Sequence, residues 1–457
     1  MSKIDVVDLT SGSIFSHLGR LAIPAALGML FHTLYNIVDV FFAGMISTNA
    51  QAGLSLGYLS FFFIAAFGFG INAAMAGLLG NSIGKKDDNF GNIVLNGLVF
   101  TLLISLILIA FGWLAGVKIV SIVSDPGLYR DLGIRYYFWL LVSLPGFLIA
   151  YACNGILQAQ GNTVSMQRAM VLAFFLNLIL NPLLIFGVPN FWSGLGFDGL
   201  ALSTVISNYF VMFYMLFSIS FRRVFPIISR VNFNRKIFWK FFEQMLPPTM
   251  SFQMIIIGVL IMQFALKDFG AEAIAGYSIA VRIEQLILLP ILGVTHALLP
   301  LVAQNFGAGK FNRVREAFFL CVSVGMLVML LAYPFIWYLS YYAMALFTES
   351  EMVLNVGISY LRVDGLVLSV YAILFSINSL LQGIKRPFGI FWIGIFRQGI
   401  AAAFFIWFFI SYLHFDFWGV WYGAVASVIT GCLLSIIVAY KVFQSEVRIM
   451  KYIRQNS

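Results

Sequence analysis

The sequence predicts an all-α polytopic membrane protein with twelve transmembrane helices in two pseudo-symmetric six-helix lobes around a central cleft. Three observations carry that reading. The 457 residues are 61% hydrophobic and only 10% charged, against about 25% charged in a soluble domain. Apolar stretches recur that are long enough to cross a bilayer, which takes about 20 residues at about 1.5 Å each. The second half of the chain also repeats the first. GNSIGKK (80–86) matches AQNFGAGK (303–310), and residues 137–161 match 361–385, with Asn154 on Asn378 and Gln158 on Gln382. FDGLALS (197–203) lies against FWGVWYG (417–423), and LAIP (21–24) against QMLP (244–247). Two copies in the same orientation are related by an axis along the membrane normal, which makes a cleft that can open to either side.

Taken in order, the expected spans are 20–44, 53–80, 93–117, 133–157, 169–188, 199–220, 245–266, 273–301, 317–340, 357–381, 388–410 and 419–440. Residues 1–19 form an N-terminal segment without the pattern of a cleaved leader, within which 13–19 can make a short interfacial helix. The first lobe is 20–220, the linker 221–244, the second lobe 245–440 and the basic tail 441–457. With both termini cytoplasmic, most of the 27 Lys and Arg fall on the inside, in the linker, the tail and short loops such as Lys85–Lys86 and Lys310–Arg315. The net charge of +9 is therefore topology under the positive-inside rule, not a nucleic-acid surface. Cys153, Cys321 and Cys432 stand singly in apolar segments without CxxC, so neither a disulfide framework nor a zinc site is indicated.

The first span, RLAIPAALGMLFHTLYNIVDVFFAG, carries one carboxylate, Asp39. A charge in a membrane helix faces protein interior or water. His32, Tyr35, Asn36 and Asp39 follow i, i+3, i+4, i+7 spacing and share a face, as in the wall of a transport cavity. Pro24 removes a backbone hydrogen bond and offers a kink or hinge.

Asn177 and Asn181 (i, i+4, before Pro182) and Thr204 and Asn208 (i, i+4) are candidate partners for Asp39. Such oxygens suit a small cation such as sodium, with Asp39, Asn177 and Thr204 as its ligands, and equally a bound proton with water. The asparagines can also simply join helices. In the second lobe, Arg282 and Glu284 are two apart and point to different faces. Glu284 can pair with Arg397, as a structural ion pair or in a substrate or proton role. Arg362 and Asp364 are expected near the outer interface; His296 and Gln253 are weaker candidates.

Phe and Met surfaces suit varied apolar or cationic aromatic ligands, and the chain has 48 Phe and 17 Met. QNFGAGKF is no phosphate loop, having Gln304 at its first position and Phe311 where Ser or Thr is required. HExxH and metal-spaced histidines are absent, so neither an enzyme nor a cofactor is expected.

TLYNIVDVFFAG (33–44), CNGILQAQG (153–161), LNLILNPLLIFG (176–187) and VRIEQLILLPILG (281–293) resemble the multidrug and toxic compound extrusion (MATE) family over nearly all of 13–440. The resemblance implies a prokaryotic exporter that exchanges protons or sodium ions for organic cations. It puts Asp39 at the first-helix carboxylate and Pro24 at the bend of that helix, with Tyr35, Asn36, Asn154, Asn177 and Thr204 in the polar site of the first lobe. The sequence departs from the family pattern at LNP, where LDP is common, leaving Asn181 in place of an aspartate. The positions of two acids of the sodium-coupled NorM-like branch hold Ile255 and Tyr371, which points to the DinF-like branch. The expected partners are small-molecule drugs, lipophilic cations and membrane lipids. The expected setting is a monomer in a bacterial inner membrane. A flippase for lipid-linked precursors is the alternative, though it calls for a more cationic cavity than the few buried arginines supply.

Overall fold

The computed structural model describes residues 6–87, 89–221 and 234–455. Half of the expected linker, 222–233 with Arg222, Arg223 and Arg230, lies outside the described residues, as do 1–5 and 456–457 of the terminal segments. The described chain contains twelve helices long and apolar enough to cross a membrane. In order these are α1 (Ile14–Ile46), α2 (Thr48–Lys85), α3 (Phe90–Ile122), α4 (Leu128–Ala159), α5 (Val164–Phe186), α6 (Phe197–Phe221) and α7 (Arg235–Leu266). They continue with α8 (Ala271–Ile287) and α9 (Leu289–Gly307), which together make the eighth crossing, then α10 (Phe311–Ala345), α11 (Glu351–Gly383), α12 (Phe388–Gly394), α13 (Ala402–Trp407) and α14 (Trp418–Gln455). Apolar side chains such as Leu114, Phe213, Leu331 and Trp392 stay exposed on these helices, as suits helices solvated by lipid.

Helices run past several expected ends: α7 begins at Arg235, inside the expected linker, and α14 continues to Gln455 through the expected tail. Three spans differ further. The first begins at Ile14, so 13–19 is no separate interfacial helix; Ile14 and Leu18 are buried and continue α1. The eighth is broken at Leu288, because Pro290 has no N–H to continue the ladder. The eleventh, Phe388–Tyr412, alternates α12 and α13 with π-helical turns at Ile395–Ala401 and Phe408–Tyr412.

Contacts divide the chain into two compact units: Met1–Asp8 with Leu27–Thr249, and Leu9–Ala26 with Met250–Ser457. The division falls within α1, between Ala26 and Leu27, just after Pro24, whereas the sequence reading keeps the whole first span in the first lobe. Within the first unit, α2 packs against α4 through small residues. A Cβ on Gly155 would stand 2.5 Å from the Asn72 carbonyl oxygen, so glycine is what permits that approach. Within the second unit, Tyr277, Tyr360 and Trp421 pack ring against ring with centroids 5.1–6.0 Å apart.

The internal repeat is visible in the turns. After α4, Gly161 N–H donates to Gln158 O and Asn162 N–H to Leu157 O; after α11, Lys385 N–H donates to Gln382 O and Arg386 N–H to Leu381 O. Both pairs are Schellman caps, with Gly161 at φ 77° and Lys385 at φ 62°. Lys86 and Gly309 hold the same relation after α2 and α9, at φ 55° and 72°.

Candidate functional site

Asp39, in the second half of α1, is 3% exposed although it is a carboxylate in an apolar helix. Its partners come from α5 and α6. The i, i+4 spacing of Asn177 and Asn181 turns both fully buried amides to one side of α5. Asn177 Nδ2 donates to Asp39 Oδ1 at 3.0 Å and Asn181 Nδ2 to the same oxygen at 2.8 Å. Thr204 Oγ1, on α6, donates to Asp39 Oδ2 at 3.1 Å. The structure thus brings Asp39, Asn177, Asn181 and Thr204 into one cluster.

A second layer orients the first. Asn181 Nδ2 also donates to Asn177 Oδ1 at 3.0 Å, and the Ser203 hydroxyl donates to Asn181 Oδ1. That bond leaves Asn181 with its nitrogen toward Asp39. Ser203 is a member that the sequence reading missed, and the signal for it is weak. It is a serine in a helix that also carries Ser207, Ser218 and Ser220.

The cluster holds one acid and neutral partners. Among the described residues no Lys, Arg or His forms an ion pair with Asp39, and Asp39 is the one buried acid of the first unit. A lone carboxylate in an apolar interior is costly unless a cation or proton accompanies it. The amide groups meet Asp39 through nitrogen; for sodium, at least one amide would have to turn to offer oxygen. The donor set as arranged therefore suits hydrogen bonding to the carboxyl group better than a metal shell.

The other candidates lie around this cluster in different ways. Tyr35 and His32 line a neighbouring small pocket of the first unit, together with Phe147, Tyr151, Met166, Met170 and Asn208. The Tyr35 hydroxyl is buried without a hydrogen-bond partner, near Thr204 and Ser207. Asn36 donates to the His32 carbonyl of its own helix at 2.9 Å. Asn154 and Asn208 do not join Asp39: Asn154 donates to Asn72 Oδ1 at 2.9 Å and Asn208 to Ser143 Oγ at 3.1 Å. Pro24 lies inside an uninterrupted α1.

In the second unit, Arg282 is exposed and Glu284 buried, on different faces of α8. Glu284 is not in an ion pair with Arg397; its Oε2 accepts from the Tyr360 hydroxyl at 2.6 Å. The Arg397 guanidinium lies over the Tyr371 ring, 5.4 Å from its centroid. Asp364 corrects the sequence expectation, because it is 6% exposed and stands against Glu284, not at the interface. Arg362 lies over Trp337, 4.6 Å from the ring centroid. Ile255 is 39% exposed.

The MatE family pattern matches residues 24–183 and 247–408, which take in every member of the Asp39 cluster up to Asn181. A FAD transporter of Shewanella oneidensis is 26% identical over 323 residues, 68% of this chain and 70% of that protein. The multidrug export protein MepA of Staphylococcus aureus is 26% identical over 385 residues, 81% of each chain. Among solved structures, an outward-facing multidrug resistance MATE transporter superposes with TM-score 0.89 at 22% identity, covering 98% of this chain and 100% of its own. A MOP superfamily transporter from Pyrococcus furiosus does so with TM-score 0.89 at 23% identity, covering 98% and 99%. These superpositions show the fold.

Proposed function

We propose, since this chain belongs to the MatE family, that it is a secondary active exporter that exchanges protons at Asp39 for small organic compounds, mainly amphipathic cations. The observation that carries the reading is the buried Asp39, held by three neutral donors and no cationic side chain. Such a group is stable either protonated or beside a bound cation. The interaction it makes with Asn177, Asn181 and Thr204 differs between those forms, and that difference is what lets an ion bias a conformational equilibrium. With their nitrogens toward Asp39 the amides offer no oxygen to a metal ion, which favours a proton as the coupling ion; sodium is the second ion, favoured if the amides turn.

The substrate reading rests on the adjoining cavity. Its walls offer Tyr35, Phe147, Tyr151, Met166 and Met170 and no Lys or Arg. Aromatic faces attract cations, and methionines adapt to varied shapes, as a multidrug exporter such as MepA requires. A dinucleotide like the cargo named for the Shewanella oneidensis relative would bring a pyrophosphate that this lining does not match. The alternation between outward and inward access, both termini in the cytoplasm and a bacterial inner membrane belong to the same proposal.

The test is ethidium accumulation and drug susceptibility in cells producing the protein or its Asp39→Asn variant at equal membrane level. The reading expects wild-type cells to accumulate less dye than the variant. Equal accumulation by the two would remove Asp39 from the mechanism.

A further inference from the structure

The second unit buries two carboxylates that the proposed exchange at Asp39 does not use. Glu284 of α8 and Asp364 of α11 are 9% and 6% exposed and lie within hydrogen-bonding reach of each other. Their surroundings are asymmetric. Glu284 Oε2 receives the Tyr360 hydroxyl at 2.6 Å, so Glu284 is the acceptor of the pair. Asp364 Oδ2 is buried and has no hydrogen-bond donor. A buried carboxylate oxygen with no donor, on a residue that stands against an accepting carboxylate, is where a carboxylic O–H belongs.

Charge leads to the same place. Arg397, 9% exposed, acts electrostatically on both carboxylates and is always cationic. Tyr277 and Tyr371 are the remaining titratable groups that feel them. Among the described residues, no charged side chain of α9, α10, α12, α14 or the turn 267–269, which pack on α8 or α11, acts on either carboxylate. Two ionised acids and one arginine would leave a net negative charge in an apolar interior, whereas one proton makes the cluster neutral. Two carboxylates that close share one proton rather than both ionising.

We propose that Glu284 and Asp364 form a proton-binding pair, holding one proton on Asp364 Oδ2 toward the Glu284 carboxylate, with Arg397 balancing the charge that remains. The ligand is a proton and not a divalent metal ion, because two further charges beside the guanidinium would leave the cluster net positive, and among the described residues no group of three His, Cys, Asp or Glu stands together to hold a metal. Arg397 is set there by the π-helical turn Ile395–Ala401 and by Gly431, where a Cβ would stand 2.8 Å from Arg397 Cγ. This pair is independent of the role given to Asp39.

Infrared spectroscopy of the purified full-length Asp39→Asn protein near neutral pH tests it, read at the carbonyl stretch of protonated carboxyl groups. With Asp39 replaced, Glu284 and Asp364 are the buried acids left among the described residues. The pair predicts one protonated carboxyl per chain, lost in both D39N/E284Q and D39N/D364N, since either remaining acid then ionises against Arg397. No protonated carboxyl in the Asp39→Asn protein would overturn it, and so would a signal that survives in either folded double variant. The Asp39→Asn measurement leaves the pair intact, so it decides the matter even where a double variant fails to fold. It reads protonation rather than export, so its outcome is separate from the outcome of the Asp39 tests.

Discussion

Asn181 donates to Asp39 Oδ1 at 2.8 Å, on the same oxygen that Asn177 reaches at 3.0 Å. The residue that departs from the family's usual LDP motif is thus in direct contact with the buried carboxylate. Asn181→Asp would put a second carboxylate there and give a cation twice the negative charge. We predict that the variant becomes sodium-stimulated in ethidium efflux. Efflux that stays indifferent to sodium would mean that the cluster does not select the ion by its charge.

Ser203 sets which end of the Asn181 amide faces Asp39. Ser203→Ala removes that bond, worth about 0.5–1.5 kcal/mol, and frees the amide to turn. The expected result is efflux lowered several-fold with thermal stability falling by a few degrees at most. Unchanged efflux would show that Asn177 and Thr204 orient the carboxylate without it.

Close helix approach makes a contrast between two glycines. Gly155→Ala would force a Cβ to 2.5 Å from the Asn72 carbonyl oxygen, while nothing lies within 4 Å of a Cβ at Gly19. Overpacking costs about 1–3 kcal/mol, and a glycine inside a helix costs about 0.5–1 kcal/mol relative to alanine. Thermal unfolding of the purified variants should therefore fall for Gly155→Ala and hold or rise for Gly19→Ala. The opposite order would contradict the packing described for α2 and α4.

Lys385 takes up, at φ 62°, the turn that Gly161 makes at φ 77° in the other unit. A side chain in the left-handed region costs about 1–2 kcal/mol. Lys385→Gly should raise the unfolding temperature and Gly161→Ala lower it, measured side by side on purified protein.

How far the sequence reveals this molecule depends on the kind of signal. Twelve spans and the repeat are legible because a bilayer imposes a length and a composition on every crossing. Asp39, Asn177, Asn181 and Thr204 are legible as candidates because a carboxylate or paired amides at i, i+4 stand out in an apolar helix. Ser203 does not, since serines satisfy themselves on their own helix backbone and are scattered along α6. The sequence puts Asp364 too near the interface because α11, at 33 residues, is longer than the about 20 residues that cross the core. Depth along such a helix is not written in its composition. The π-helical turns around Arg397 have no residue signature, because they are a slip in backbone register.

The most direct test of proton exchange at Asp39 is ethidium efflux from proteoliposomes under a pH gradient alone and under a sodium gradient alone, with Asp39→Asn in parallel. The account predicts efflux driven by the pH gradient and abolished in the variant, with the sodium gradient ineffective. Efflux driven by sodium alone, or pH-driven efflux that persists in Asp39→Asn, would contradict it.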